Sequence, residues 1–233
     1  MYMNKKMKLL ALLLGVMVMM LGLSGCNKNS RAHVEKQFAD LGKIYPTKNV
    51  EDLFKVFPEG FQIIYTHSKD SDGKDISYFI NVSGNPENKR IKGIVEKKIT
   101  VVNNGISDMK MLYKHNIELT KEGWKSLDKD YTLDDIVKET QFLFQKNTFN
   151  KNILSSYKII ESNYNSNISA YHIAYYLNND LLSLNNLDIS KKDEAKNFIL
   201  SFTRNNESNK YIEINMSTPL SFKSETIIEK FKE

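Results

Sequence analysis

The chain has 233 residues and a formal net charge of +5. Hydrophobic residues make up 41% of it, and it has a single cysteine. One cysteine excludes intramolecular disulfides and cysteine-based metal clusters. The length suits one good-sized domain, or two small ones sharing an interface, and the lack of any clean 20- to 50-residue period excludes solenoids.

The first element is a leader. A short basic front (Lys5, Lys6, Lys8) precedes an apolar run over residues 9–20, which closes on Leu23-Ser24-Gly25-Cys26. Charge, then apolar core, then small residues is the layout of an export signal. The run falls short of the roughly 20 apolar residues a spanning helix needs. Its ending resembles the lipobox of bacterial lipoproteins. That resemblance implies recognition by a signal peptidase at Leu23, Ser24 and Gly25 and cleavage before Cys26. Cys26 would then carry an S-diacylglycerol group and an N-acyl chain such as palmitate. Each residue type fits: only a thiol gives the thioether, Ser24 and Gly25 pass a tight peptidase site, and Leu23 fills an apolar subsite. Two acyl chains anchor stably where one is marginal. With the thiol used in this way, thiol catalysis is excluded too. The expected organisation is a signal peptide over 1–25, a lipidated cysteine and polar tether over 26–31, and one globular domain over 32–233. Loss of three leader lysines leaves a mature charge near +2, which gives no argument for nucleic acid.

Beyond the tether, Val34, Phe38 and Leu41 recur at helical spacing and predict a helix ending near Gly42. Asn49 is placed to cap a second helix carrying Glu51 and Asp52 in its first turn, stopped by Phe57-Pro58-Glu59-Gly60. The period then changes. Residues 61–66, 76–82, 91–102 and 109–119 are rich in branched and aromatic residues and are separated by turn signals such as Asp72-Gly73 and Asn104-Gly105, which predicts a four-stranded antiparallel meander. Thr132-Leu133-Asp134-Asp135 reads as a helix start, and Leu133, Ile136, Val137 and Phe144 predict a central helix reaching about Lys146. A hairpin over 156–163 and 168–177 follows. Residues 180–187 read equally as short helix or loop. Strands over 198–204, 211–217 and 226–231 close the chain. The predicted class is α+β: antiparallel sheet with an N-terminal helical segment and a central helix.

The lipobox, Ile44-Tyr45-Pro46-Thr47-Lys48-Asn49-Val50-Glu51-Asp52-Leu53, Ser169-Ala170-Tyr171-His172-Ile173-Ala174-Tyr175-Tyr176-Leu177-Asn178-Asn179-Asp180 and Lys210-Tyr211-Ile212-Glu213-Ile214 together resemble the staphylococcal tandem-type lipoproteins. The resemblance covers most of the mature chain. It departs after the Glu-Asp helix, where Phe57-Pro58-Glu59-Gly60-Phe61 replaces a more acidic, Tyr-rich segment, so the chain reads as a divergent member. It implies a surface antigen without an established enzymatic activity, some family members being linked to host-cell entry and immune stimulation.

No Gly-x-Ser-x-Gly, His-Glu-x-x-His, P-loop or dinucleotide fingerprint is present. His33, His67, His115 and His172 are far apart in the chain and read as solvated or partly packed. Asp70, Asp72 and Asp75 around Gly73 have neither the glycine position nor the closing Glu of a calcium loop, and a hairpin turn explains them as well. Tyr164, Tyr171, Tyr175 and Tyr176 sit among asparagines, a composition suited to stacking on sugars. Alternation puts Tyr171 and Tyr175 on one strand face and Tyr176 on the other, so half at most can be displayed. Trp124 beside Gly123 reads as buried next to a tight turn. The expectation is therefore a lipoprotein anchored on the extracytoplasmic face of the cell membrane. It would bind, in contact with a host-surface protein, rather than catalyse, with no cofactor beyond the lipid. The oligomeric state stays open. The alternative is an extracytoplasmic carrier of a small apolar ligand or lipid, which needs an apolar cavity where an antigen needs a filled core. A hydrolase, needing converging carboxylates or a His–carboxylate pair in a cleft, ranks last.

Overall fold

Alternating branched and aromatic residues favour extended chain, and they extend further than the turn signals alone predict. The computed structural model describes residues 27–71, 74–103, 106–129, 131–176, 199–205, 210–218 and 221–229. The strands are β1 (Phe61–Ser71), β2 (Lys74–Gly84), β3 (Ile91–Asn103), β4 (Ile106–Thr120) and β5 (Gly123–Ser126), then β6 (Lys158–Asn165), β7 (Ala170–Tyr176), β8 (Ile199–Asn205), β9 (Tyr211–Thr218) and β10 (Ser221–Glu229). They form one ten-stranded antiparallel sheet in the order β5-β4-β3-β2-β1-β10-β9-β8-β7-β6. Each half is a local meander. The halves join where the first strand meets the last, Phe61 opposite Glu229 and Lys69 opposite Ser221.

Backbone needs show at two glycines. A Cβ on Gly93 would fall 1.9 Å from the Asn81 carbonyl oxygen, so β2 and β3 approach there only because the side chain is missing. Gly123 has a φ of 110° and turns the chain into β5, where Trp124 is buried as expected.

Short helices cross one face: α1 (Arg31–Gln37), α2 (Leu53–Val56), α3 (Asp135–Lys138), α4 (Leu143–Lys146) and α5 (Lys151–Ser156), with 3₁₀ turns at Leu41–Lys43 and Val50–Asp52. Val34, Phe38 and Leu41 are fully buried, as their spacing predicts. Tyr45, Phe142, Phe144 and Phe149 fill the middle of the layer against Tyr65 and Phe202 of the sheet. The α+β label therefore holds only roughly: strands dominate, and the helices are single turns or little more.

The central helix is the main correction. Instead of a continuous helix to Lys146, the chain breaks between α3 and α4, and Phe142, Leu143 and Phe144 are buried in succession where α4 begins. Asn49 occupies the cap position without capping; its side chain bonds Asp52 at 3.3 Å instead. Strand β5 and helix α5 went unpredicted, each being too short to carry a period. Residues 1–26, with Leu23, Ser24, Gly25 and Cys26, and the ambiguous segment 180–187 lie outside the described residues.

Candidate functional site

The strands of the first meander are longer than the helical layer that covers them. The inner-face row Tyr164, Tyr171, Arg204, Ile212, Ile227, Ile63, Val82, Gly93, Ile117 and Ser126 runs across all ten strands in register. From Ile117 on this row, β4 continues eleven residues to Ile106, about 35 Å at 3.3–3.4 Å per residue. That far end of β3 and β4 is apolar and open: Val102 is 59% exposed, Ile106 73% and Met109 63%, with Met111 and Leu112 also exposed. A register shift between Lys97 and Lys98 leaves Leu112 unpaired in the ladder. Such a bulge re-aims a strand where it leaves the body of the sheet. Clustered apolar exposure of this kind marks interaction surfaces.

On the inner face, where the helical layer stops at Ile136, a recess of about 220 Å³ opens between His67, Lys69, Ile76, Tyr78 and Ile136. Behind its Tyr78 wall lies a polar tie. Lys97 bonds Asp134 at 2.9 Å, and the Tyr78 hydroxyl lies 3.4 Å from the same carboxylate. Burial raises the Asp134 carboxyl, yet Lys97 outweighs it and holds the group below the usual carboxylate range; Tyr78 and Asp134 in turn raise Lys97. The carboxylate and the ammonium hold each other in the charged form.

Glu225 on β10 is fully buried. It accepts from the Tyr45 hydroxyl at 2.8 Å and from the backbone N–H groups of Leu143 at 2.6 Å and Phe144 at 3.1 Å. Burial pushes its carboxyl up to about 8, against the opposing pull of those three donors. It takes the first amides of α4, which otherwise have no intrahelical acceptor. A second buried carboxylate, Glu35 on α1, accepts from the Tyr175 hydroxyl at 3.0 Å and from Arg31 at 2.8 Å. Arg31 also donates to the last carbonyls of α5. Arg204 on β8 donates to both carboxylate oxygens of Asp40 and to the Gln37 carbonyl. These three ties pin helices to the sheet, and motif reading missed them because their sheet partners lie 81 to 180 residues apart.

Two His–carboxylate pairs form. His115 Nδ1 lies 2.8 Å from Asp128, which also accepts from the Asn116 backbone and side chain, and the His115 ring stacks on Tyr131 with centroids 3.4 Å apart. His172 sits 3.1 Å from Glu161 and 3.0 Å from Thr203. His33 leans on Tyr171. Both pairs join neighbouring chain segments, and neither lines the recess. Asp70 and Asp75 face each other across the β1–β2 hairpin, and burial, with the neighbouring Asp70, raises Asp75. Among the described residues no group of three or more His, Cys, Asp or Glu side chains is placed to hold a metal ion. Tyr175 is core, Tyr176 is exposed, and Tyr164 and Tyr171 are half-buried at the β6 edge. The polar segment before α1 is docked rather than loose: Asn29 bonds Ser162 and Tyr164 of β6.

No protein-family model matches the chain. It is 29% identical to an uncharacterized lipoprotein of Staphylococcus epidermidis over 67% of each chain. It is 28% identical to an uncharacterized lipoprotein of Staphylococcus aureus encoded in the plc 3′ region, over 72% of each. A third relative, from Staphylococcus aureus strain MSSA476, is 26% identical over 76% of this chain and 74% of its own length. The similarity to staphylococcal lipoproteins read from the lipobox and the three internal patches is thus shown, at the distance of a divergent relative. The relatives' names support reading this chain as a membrane-anchored lipoprotein, and no helix among the described residues is long and apolar enough to cross a membrane.

Proposed function

We propose that the protein is exported, lipidated on Cys26 and held on the extracytoplasmic face of the cell membrane. There its domain works by binding a partner at the far end of β3 and β4 rather than by catalysis. The observation that carries this reading is the apolar exposure of that end. Val102, Ile106 and Met109 are more than half exposed on strands whose other ends are buried. Isolated exposed apolar residues need no explanation, but a cluster on one hairpin does. The filled middle of the helical layer supports a surface antigen over a carrier, since Tyr45, Phe142, Phe144 and Phe149 occupy the space a ligand would need. A host-surface protein is the expected partner class.

Two experiments test this. Cys26→Ser should abolish fatty-acid labelling and release the chain or leave it unprocessed; labelling that survives the substitution refutes the lipobox. For the binding end, wild type and an Ile106→Asp/Met109→Asp variant are compared for retention on host-cell surface protein. Loss in the variant at unchanged melting temperature is expected, and equal retention refutes the assignment.

A carrier role has one specific observation behind it, the recess at His67, Lys69, Ile76, Tyr78 and Ile136. At about 220 Å³ it is below the roughly 300–1,000 Å³ of ligand pockets. A carrier would therefore hold a short apolar chain beside the Lys69 ammonium. Saturable retention of a fatty acid, lost in Ile76→Asp, would bring this reading forward.

A further inference from the structure

The lipid reading of Cys26 has a geometric consequence at the start of the domain. The Asn29 carbonyl accepts from Ser162 Oγ at 2.6 Å, and its side-chain oxygen accepts from the Tyr164 N–H at 2.8 Å. Lys28 Nζ lies 4.5 Å from the centre of the Tyr164 ring, and Ser30 caps α1. The chain is therefore clamped to the outer edge of β6 from Asn29 onward. Three Cα–Cα steps of about 3.8 Å allow Cys26 no more than about 11 Å from Asn29. A bilayer holding lipid on Cys26 must come within that reach of the β6 edge, extended only by the cysteine side chain and its glyceryl linkage.

The surface it would meet is suited to it. The turn between β6 and β7 carries Ile168, 52% exposed, and Tyr164 and Tyr171 stand half-buried beside it. Tyrosine suits a boundary that is apolar on one side and wet on the other. No acidic residue occurs in 27–33 or 163–171, where Lys28 is the cation available to a headgroup; Arg31 is already paired with Glu35, and Glu161, further along β6, with His172. Cations near an anionic leaflet are attracted over a Debye length.

Resting on the lipidation proposed above, we propose that the β6 edge and the β6–β7 turn (Lys28, Tyr164, Ile168, Tyr171) form a second membrane contact, against anionic headgroups of the bilayer that holds the anchor. The domain then stands in one orientation. The β6 edge lies at the bilayer, and the apolar end of β3 and β4 lies at the far edge and far end of the sheet, about 35 Å beyond the row on which Tyr164 sits.

The lipid consumes the only native thiol, so a single introduced cysteine can be labelled selectively. Full-length lipidated Ile168→Cys and Ile106→Cys, each carrying an environment-sensitive fluorophore, are reconstituted into vesicles of phosphatidylglycerol and phosphatidylcholine containing headgroup spin-label quencher. Both sites are exposed, so neither label disturbs the core. The proposal expects several-fold stronger quenching at 168 than at 106, falling when phosphatidylglycerol is omitted. Equal quenching on a chain that floats with the vesicles overturns the contact while the anchor stands. Quenching unchanged in neutral vesicles overturns the anionic partner. A chain that neither floats nor takes up fatty acid overturns the lipid reading, and the contact with it.

Discussion

The two halves of the sheet solve one burial problem at different lengths. In the second meander, β6 to β10, strands of seven to nine residues match the helices laid over them. That half is held by specific polar ties: Tyr175 to Glu35, Arg204 to Asp40, and Glu225 to Tyr45 and α4. In the first, β1 to β4 run eleven to fifteen residues, and the layer covers only one end of them. The surplus strand is free of the core's packing demands. It can carry apolar side chains for another purpose, at little cost to stability.

The sharpest break of this comparison is a core truncation in the short half. Tyr175 is fully buried, packs on Tyr157 and Phe202 and donates to Glu35. Tyr175→Ala should cost on the order of 3–5 kcal/mol in a denaturant titration. A cost below about 1 kcal/mol would mean that half is not the stable one.

Glu225 comes next and acts through pH. Its folded value, about 8, lies above its ordinary 4.5. As pH rises, the unfolded chain ionises first, so stability from this group is full below about 4.5 and declines toward pH 8. Melting temperature should therefore fall across that window, and Glu225→Gln should flatten the slope. A wild-type slope that rises instead would mean the three donors outweigh burial and keep the carboxylate charged.

Arg204→Ala removes bonds to Asp40 and Gln37. At this partly exposed pair the loss should be about 1–2 kcal/mol, reduced by salt. Asp40 is held low chiefly by its hydrogen bond from Arg204. The tie's contribution therefore holds above the ordinary value of 3.8 and is lost as pH falls through the depressed one. Loss of the acid-side dependence in Arg204→Ala, measured by melting at pH 2–5, checks it.

The smallest effect belongs to the long half's free end. Ile106→Ser or Met109→Ser should shift stability by no more than about 0.5 kcal/mol. A cost near that of Tyr175→Ala would show that the end is packed, and would remove it as a binding surface.

What the sequence determined is local. Alternation and turn signals such as Asp-Gly and Asn-Gly placed nine of the ten strands, because strand direction and turn geometry depend on neighbours in the chain. Helical spacing placed Val34, Phe38 and Leu41 in the core, and Gly123 beside Trp124 marked a buried ring. The leader and Leu23-Ser24-Gly25-Cys26 carried the lipoprotein reading without help from the fold. What only the tertiary structure decided is long-range. The pairing of β1 with β10 joins the two meanders into one sheet, and no turn between them could specify it. The start of α4 after its break from α3 is held by Glu225, 82 residues from Leu143, which accepts the first amides of α4. The apolar end of β3 and β4 reads in sequence like any other strand; it is exposed because the helices over it stop at Ile136, a length set by packing rather than by the strand's own pattern. Asn29 likewise reads as a polar tether until the edge of β6 supplies its partners.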